Sequence, residues 1–253
     1  MDLETIKSMK GQAPIVVLTC YDFNTAKILE QWVEIILVGD SLGNVVYGYD
    51  STKQVTMEDM VKHTSAVRRG AITSFIVADM PYKSDTTKEL AIENAHSLLE
   101  AGADAVKIEG KPEICKALVE KGVPVMGHVG LLPQTAEEYK VTGKDEKEAD
   151  EIIKQAIELN NVGCFAIVLE SIPMDLAKGI TNAIKVPTIG IGAGPYCDGQ
   201  VLVINDILGI DQSFNPKFVK KYANLDGVIG KAVRAYAKDV KNRHFPDIKH
   251  SFK

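Results

Sequence analysis

The sequence predicts an α/β fold, a closed (β/α)8 TIM barrel in a single domain covering residues 1–253, with extra helices at its C-terminal end. Three observations predict it. Short Val- and Ile-rich runs recur along the chain, segments of helical spacing lie between them, and 253 residues is a common length for one such barrel.

Taken in order, the apolar runs are Ile15–Thr19, Ile35–Val38, residues 75–78, 105–108, 123–126 and 164–169, and Thr188–Ile191. Such runs mark strands covered on both faces, as in a parallel sheet. A weaker eighth run at 207–210 completes the set. Between the strands, residues 57–69, 88–101, 113–121 and 146–160 carry apolar side chains at helical spacing. Thr56 and Thr87 stand where helices start, and Gly102 and Gly122 where helices end. Beyond the barrel, 216–223 and 226–239 read as two amphipathic helices. An open doubly wound sheet would show a glycine fingerprint after its first strand, where this chain has Thr19-Cys20-Tyr21-Asp22.

Composition narrows the function classes. Hydrophobic residues at 45% and charged residues at 25% suit a chain that buries a sizeable core, which excludes extensive disorder. The net charge of -5 comes from 29 basic and 34 acidic residues with no block of one sign, so neither a nucleic-acid nor a membrane partner is expected. Residues 1–14 lack the apolar core of a signal peptide, and no run is long enough to span a bilayer. Cys20, Cys115, Cys164 and Cys197 form no C-x-x-C pair, so reduced thiols and a cytoplasmic location are expected.

The chemistry lies at the strand ends. Asp40 closes the second strand, Asp79 the third, Glu109 the fourth, His128 the fifth and Glu170 the sixth. In a barrel all of these gather at the C-terminal mouth, where ionisable groups pack poorly unless they have partners. A lone acid there is usually a helix cap or solvated loop residue, but several converging carboxylates repel and call for a cation. Oxygen-only ligands favour a hard ion, hence Mg2+. Lys107 and Glu109 share one face of the fourth strand by period-two geometry, which places Lys107 in the lumen as a counter-ion, a Schiff-base nucleophile or, favoured here, an anchor for a substrate carboxylate. His128 lies between Gly127 and Gly130 and competes with the plain reading of a satisfied core histidine. The Gly190-Ile191-Gly192-Ala193-Gly194 run reads either as a phosphate cradle or as a tight strand exit.

These residues carry a resemblance. From about Ile6 onward the chain is similar to the ketopantoate hydroxymethyltransferase family through Leu18-Thr19-Cys20-Tyr21-Asp22, Val38-Gly39-Asp40-Ser41-Leu42-Gly43, Ala78-Asp79-Met80-Pro81 and Val106-Lys107-Ile108-Glu109-Gly110. It continues through Gly127-His128-Val129-Gly130-Leu131, Pro133-Gln134, Leu169-Glu170 and Ile189-Gly190-Ile191-Gly192-Ala193-Gly194. The resemblance implies Mg2+ bound by Asp40 and Asp79, with Glu109 completing the shell directly or through water, and a 2-oxo acid held by Ser41 and Lys107 as well as by the metal site. It implies Glu170 as the base, 3-methyl-2-oxobutanoate and the co-substrate 5,10-methylenetetrahydrofolate as substrates, and 2-dehydropantoate and tetrahydrofolate as products. A homodecamer is implied too. Three places depart from the family pattern: Tyr82-Lys83-Ser84-Asp85, the segment 135–144, and Lys111 in place of a frequent glycine.

In this scheme the metal stabilises charge on the keto oxygen while Glu170 removes the neighbouring proton, and His128 orients a substrate oxygen or assists proton movement. Two alternatives compete. One is a metal-dependent barrel of the isocitrate lyase and phosphoenolpyruvate mutase group, whose lyases carry a Lys-Lys-Cys-Gly-His-type loop that this chain lacks. The other is a barrel retained for binding alone, which the full set of strand-end acids argues against.

Overall fold

Eight parallel strands close into a barrel in chain order, each hydrogen-bonded to the next and the last to the first. The structure is a computed structural model that describes residues 1–252. It divides into two compact units, Met1–Val203 and the segment from Ile204 onward. In the first, α1 (Leu3–Ser8) precedes β1 (Ile15–Thr19), and α2 (Phe23–Leu29) leads to β2 (Ile35–Val38). The short α3 (Leu42–Val45) and α4 (Met57–Gly70) then lead to β3 (Phe75–Asp79), followed by α5 (Lys88–Glu100), β4 (Ala105–Glu109) and α6 (Pro112–Glu120). The remaining elements are β5 (Val125–Gly130), α7 (Glu146–Asn161), β6 (Ala166–Glu170), α8 (Met174–Ala183), β7 (Thr188–Ile191) and β8 (Gly199–Leu202).

Period-two alternation builds the lumen. Ile15 and Val17, Ile35 and Leu37, Phe75 and Val77, and Ala166 and Val168 meet in one buried cluster, with Ile6 of α1 among them. The same parity, continued toward the C-terminal ends, carries Asp79, Lys107, His128 and Glu170. Apolar layers below therefore support ionisable groups above.

Helix starts follow their caps. Thr56 accepts from Asp59 N at 3.2 Å while the Asp59 carboxylate accepts from Thr56 N at 3.0 Å, a full capping box for α4, and Thr87 accepts from Leu90 N at 3.2 Å ahead of α5. At the other end of α4, the Arg68 guanidinium donates to the carbonyls of Gly102 (2.7 Å), Ala71 (3.0 Å), Ile72 (3.1 Å) and Ser74 (3.1 Å) and pairs with Asp104. One side chain thus ties the exit of α4 to the starts of β3 and β4.

Three elements differ from the sequence expectation. The eighth strand is Gly199–Leu202, not 207–210: only Gly199 and Val201 are buried along it, so its apolar signal is weak, whereas Ile207 belongs to a short helix, α9 (Ile204–Leu208). Residues 216–223 are not helical, because Tyr222 and Ala223 spend their N–H groups on the Ile207 carbonyl at 2.7 and 3.2 Å. Strand β5 runs from Val125 to Gly130, so His128 lies inside it; Gly127 and Gly130 masked its length in the sequence.

The second unit holds α9 and α10 (Leu225–Lys241), whose first turn is capped by Asn224 accepting from Gly227 N at 3.0 Å. No residue of α10 is buried. Among the described residues no helix is long and apolar enough to cross a membrane.

Candidate active site

Strand register assembles the site. Asp79 of β3 is the register partner of Lys107 on β4, Glu109 of β4 partners His128 on β5, and Gly130 of β5 partners Glu170 on β6. Lys107 Nζ donates to Asp79 Oδ1 at 2.8 Å, and the other Asp79 oxygen accepts the backbone N–H of Asp40 at 3.0 Å. Asp40, Asp79, Lys107, Glu109 and His128 are all buried.

Burial sets the electrostatics. It pushes the Asp40 carboxyl up to about 7, helped by the negative charge of Asp79 and opposed by Lys107. It pushes Glu109 up to about 8, again against Lys107 and with the help of Asp40. Burial works against the Lys107 ammonium, but Asp79, Glu109 and Asp40 outweigh it and raise its pKa. A lysine held this firmly as the cation is a poor Schiff-base nucleophile, which leaves the counter-ion and carboxylate-anchor roles.

His128 Nε2 lies 3.2 Å from Glu170 Oε2, and Nδ1 lies 3.9 Å from Glu109 Oε1. The first distance would allow a hydrogen bond but the alignment does not, and both ring nitrogens are buried without a hydrogen-bond partner. Burial pulls the imidazole pKa below its ordinary range despite Glu170, which favours the neutral ring. A satisfied core histidine would not look like this. Gly130 makes the approach possible: at φ +95° it holds a conformation suited to glycine, and a Cβ there would stand 2.3 Å from the Glu170 carbonyl.

Ser41, beside Asp40, shares a 2.8 Å hydrogen bond with the Tyr21 hydroxyl. Tyr21 was visible in the sequence only as part of a motif. Gln134 was likewise missed as a site residue, although its amide nitrogen donates to Asp40 Oδ2 at 2.8 Å and its backbone N–H to Glu109 Oε2 at 3.0 Å. The Pro133-Gln134 motif was the available signal; nothing in it told where the amide would fold.

Two of the departures from the family pattern meet in space. Lys111 Nζ lies 2.5 Å from Asp85 Oδ1, whose side chain is buried. Lys111 takes φ +53°, and Lys83 (+66°) and Ser171 (+50°) also occupy the left-handed region. All three follow closely after strand ends at the mouth, where backbone strain concentrates in functional sites. At the end of the glycine run after β7 the chain packs closely on α8: a Cβ on Gly194, at φ +78°, would stand 2.4 Å from Met174 Cβ.

Among the described residues no three His, Cys, Asp or Glu side chains converge as a ready metal cage. Asp79 is engaged by Lys107 in an ion pair at 2.8 Å. Three buried acids surround one buried ammonium, and their donors are oxygens only. That chemistry fits a hard cation that keeps water or substrate oxygens in its shell.

The family model for ketopantoate hydroxymethyltransferase matches residues 1–248. A 3-methyl-2-oxobutanoate hydroxymethyltransferase from a Thermoanaerobacter species is 53% identical over 258 residues, covering 98% of this chain and 94% of that protein. One from Thermotoga maritima is 50% identical over 260 residues, covering 100% and 96%. Among solved structures, a phosphonopyruvate hydrolase superposes with a TM-score of 0.65 at 13% identity, over 98% of this chain and 92% of that one. A 2,3-dimethylmalate lyase of the PEP mutase/isocitrate lyase superfamily gives 0.61 at 13% identity, over 99% and 91%. At that identity these two share the fold alone. With a family match over nearly its whole length and relatives identical at half their positions, this chain belongs to the ketopantoate hydroxymethyltransferase family.

Proposed function

We propose that this chain is a 3-methyl-2-oxobutanoate hydroxymethyltransferase that uses 5,10-methylenetetrahydrofolate as one-carbon donor and Mg2+ as cofactor. The observation that carries the reading is the buried Lys107 amid Asp40, Asp79 and Glu109, facing the His128 and Glu170 pair across one barrel mouth. Asp40 and Asp79 hold the ion, with Glu109 acting directly or through water. When bound, Mg2+ supplies positive charge against the negative charge that develops on the keto oxygen.

The chain's own groups do the rest. Lys107 donates to the carboxylate of the oxo acid, and Ser41 donates beside it with its hydroxyl oriented by Tyr21. Glu170 removes the C3 proton of 3-methyl-2-oxobutanoate. His128, neutral and with both nitrogens unpartnered, orients a substrate oxygen. C3 then bonds to the methylene carbon of the folate as both carbon–nitrogen bonds to that carbon break, water supplies the hydroxyl, and the C3 proton and the second proton of that water end on the two folate nitrogens. The products are 2-dehydropantoate and tetrahydrofolate, the entry to pantothenate synthesis.

A cytoplasmic homo-oligomer, a decamer as in the family, completes the proposal. Its support is α10, where Ile229, Val233, Tyr236 and Val240 repeat at helical spacing as an apolar stripe. A second copy of the chain is the occupant that such a stripe would take. The four unpaired cysteines accord with a reducing compartment.

The test is product formation from 3-methyl-2-oxobutanoate with Mg2+, with and without 5,10-methylenetetrahydrofolate. Formation of 2-dehydropantoate only when both are present supports the reading. Turnover undiminished after the metal is stripped, or with no folate present, contradicts it.

A further inference from the structure

Gln134 is buried immediately beyond β5, and its contacts reach three other strand ends. Its side-chain nitrogen donates to Asp40 Oδ2 at 2.8 Å and to the Met80 carbonyl at 2.8 Å, while its backbone N–H donates to Glu109 Oε2 at 3.0 Å. The orientation of the amide is fixed by chemistry. Turned over, its oxygen would face a carbonyl oxygen and a carboxylate oxygen, both acceptors. The Met80 carbonyl therefore locks the NH2 group toward Asp40.

We propose that Gln134 is a positioning residue that sets the carboxylates of Asp40 and Glu109 for a divalent cation. The inference rests on the magnesium reading of the site. One residue grips one oxygen of each carboxylate, and a carboxylate gripped at one oxygen has its rotation set. At 2.8 and 3.0 Å these bonds have ordinary amide geometry, and they strengthen as the acids ionise. They hold one oxygen of each acid in place before a cation arrives. Asp79 needs no such grip, since Lys107 and the Asp40 N–H already occupy its two oxygens. The division of labour follows: Lys107 orders one carboxylate and Gln134 the other two.

The rival is a plain structural staple that fastens the start of the loop after β5. Mn2+ binding separates them, measured by electron paramagnetic resonance on the full chain without substrates. Gln134→Met keeps the length and the backbone N–H but removes both side-chain donors. Gln134→Asn, one methylene shorter, serves as the second variant should the first not fold. Each is expected to weaken Mn2+ binding roughly tenfold or more, as loss of an outer partner of a metal ligand does, and to shrink the rise in Tm that a fixed Mn2+ concentration produces. A variant that melts lower yet binds Mn2+ as the wild type does, with the same rise in Tm, would overturn the proposal and leave Gln134 a staple. Wild-type protein that takes up no Mn2+ would overturn the metal reading itself, and the proposal with it.

Discussion

Lys107 Nζ donates to Asp79 Oδ1 at 2.8 Å from the adjacent strand, and the two residues are also register partners, so the pair is set by the sheet itself. Both side chains are buried, and truncating one leaves the other as an unpaired charge. Lys107→Ala is expected to raise KM for 3-methyl-2-oxobutanoate more than KM for the folate, because under the proposed function the ammonium would meet the carboxylate of the oxo acid. Lys107→Arg is not expected to restore it, since the planar guanidinium is larger and differently hydrated. Initial-rate kinetics with each substrate varied in turn decide the matter. An equal rise in both constants would make Lys107 purely structural.

Proton linkage gives a second prediction. Asp40 and Glu109, pushed up to about 7 and about 8 by burial, keep their protons in the folded chain at pH values where the unfolded chain has lost them. The folded state then binds more protons than the unfolded one, so the contribution of these two groups to metal-free stability falls as pH rises from about 4 to about 8. His128 acts in the opposite sense: with its folded pKa lowered, its contribution falls as pH drops through the ordinary imidazole range. A cation requires the carboxylates ionised, so Mg2+ uptake should rise with pH over the same window and raise Tm most at its alkaline end. Melting curves across this range with and without Mg2+ test it. In Asp40→Asn, the alkaline fall in metal-free Tm should shrink; an unchanged profile would contradict the assignment.

The Lys111 and Asp85 pair separates backbone strain from charge pairing. Lys111→Gly relieves a left-handed φ, a gain of roughly 1 kcal/mol. It also strips the buried Asp85 of the ion-pair partner it has at 2.5 Å. Because the Lys111 side chain is 35% exposed, the loss is discounted from the fully buried case to roughly 1–3 kcal/mol. Lys111→Gly alone should be neutral to destabilising, whereas in an Asp85→Asn background the same change should stabilise by about 1 kcal/mol. Denaturant unfolding of the four proteins measures the difference. A gain of equal size in both backgrounds would show that the pair contributes nothing.

Much of this architecture was legible in the residues. Strand parity places Lys107 and Glu109 on one face, and Asp79 and Glu170 close β3 and β6 as the sequence predicts, with Asp40 just beyond β2 and His128 two residues short of the end of β5. What escaped had little local signal. Strand β8 offers only two buried residues, Gly199 and Val201, so its pairing with β1 and β7 defines it more than its composition does. Gln134 bonds to residues 94 and 54 positions away in the chain, and nothing in its own neighbourhood encodes that reach. Lys111 and Asp85, each a departure from the family pattern in isolation, explain one another only once two neighbouring loops stand side by side.

Whether Glu170 is the base is read from exchange of the C3 hydrogen of 3-methyl-2-oxobutanoate in D2O, with Mg2+ and no folate. Wild-type protein should catalyse the exchange. Glu170→Gln keeps the shape of the side chain beside His128 but loses the proton acceptor, so exchange should fall by roughly 10²–10⁴-fold while binding of the oxo acid, followed by calorimetry, changes little. Exchange at the wild-type rate by Glu170→Gln would contradict the account and move the search for the base to His128, 3.2 Å away.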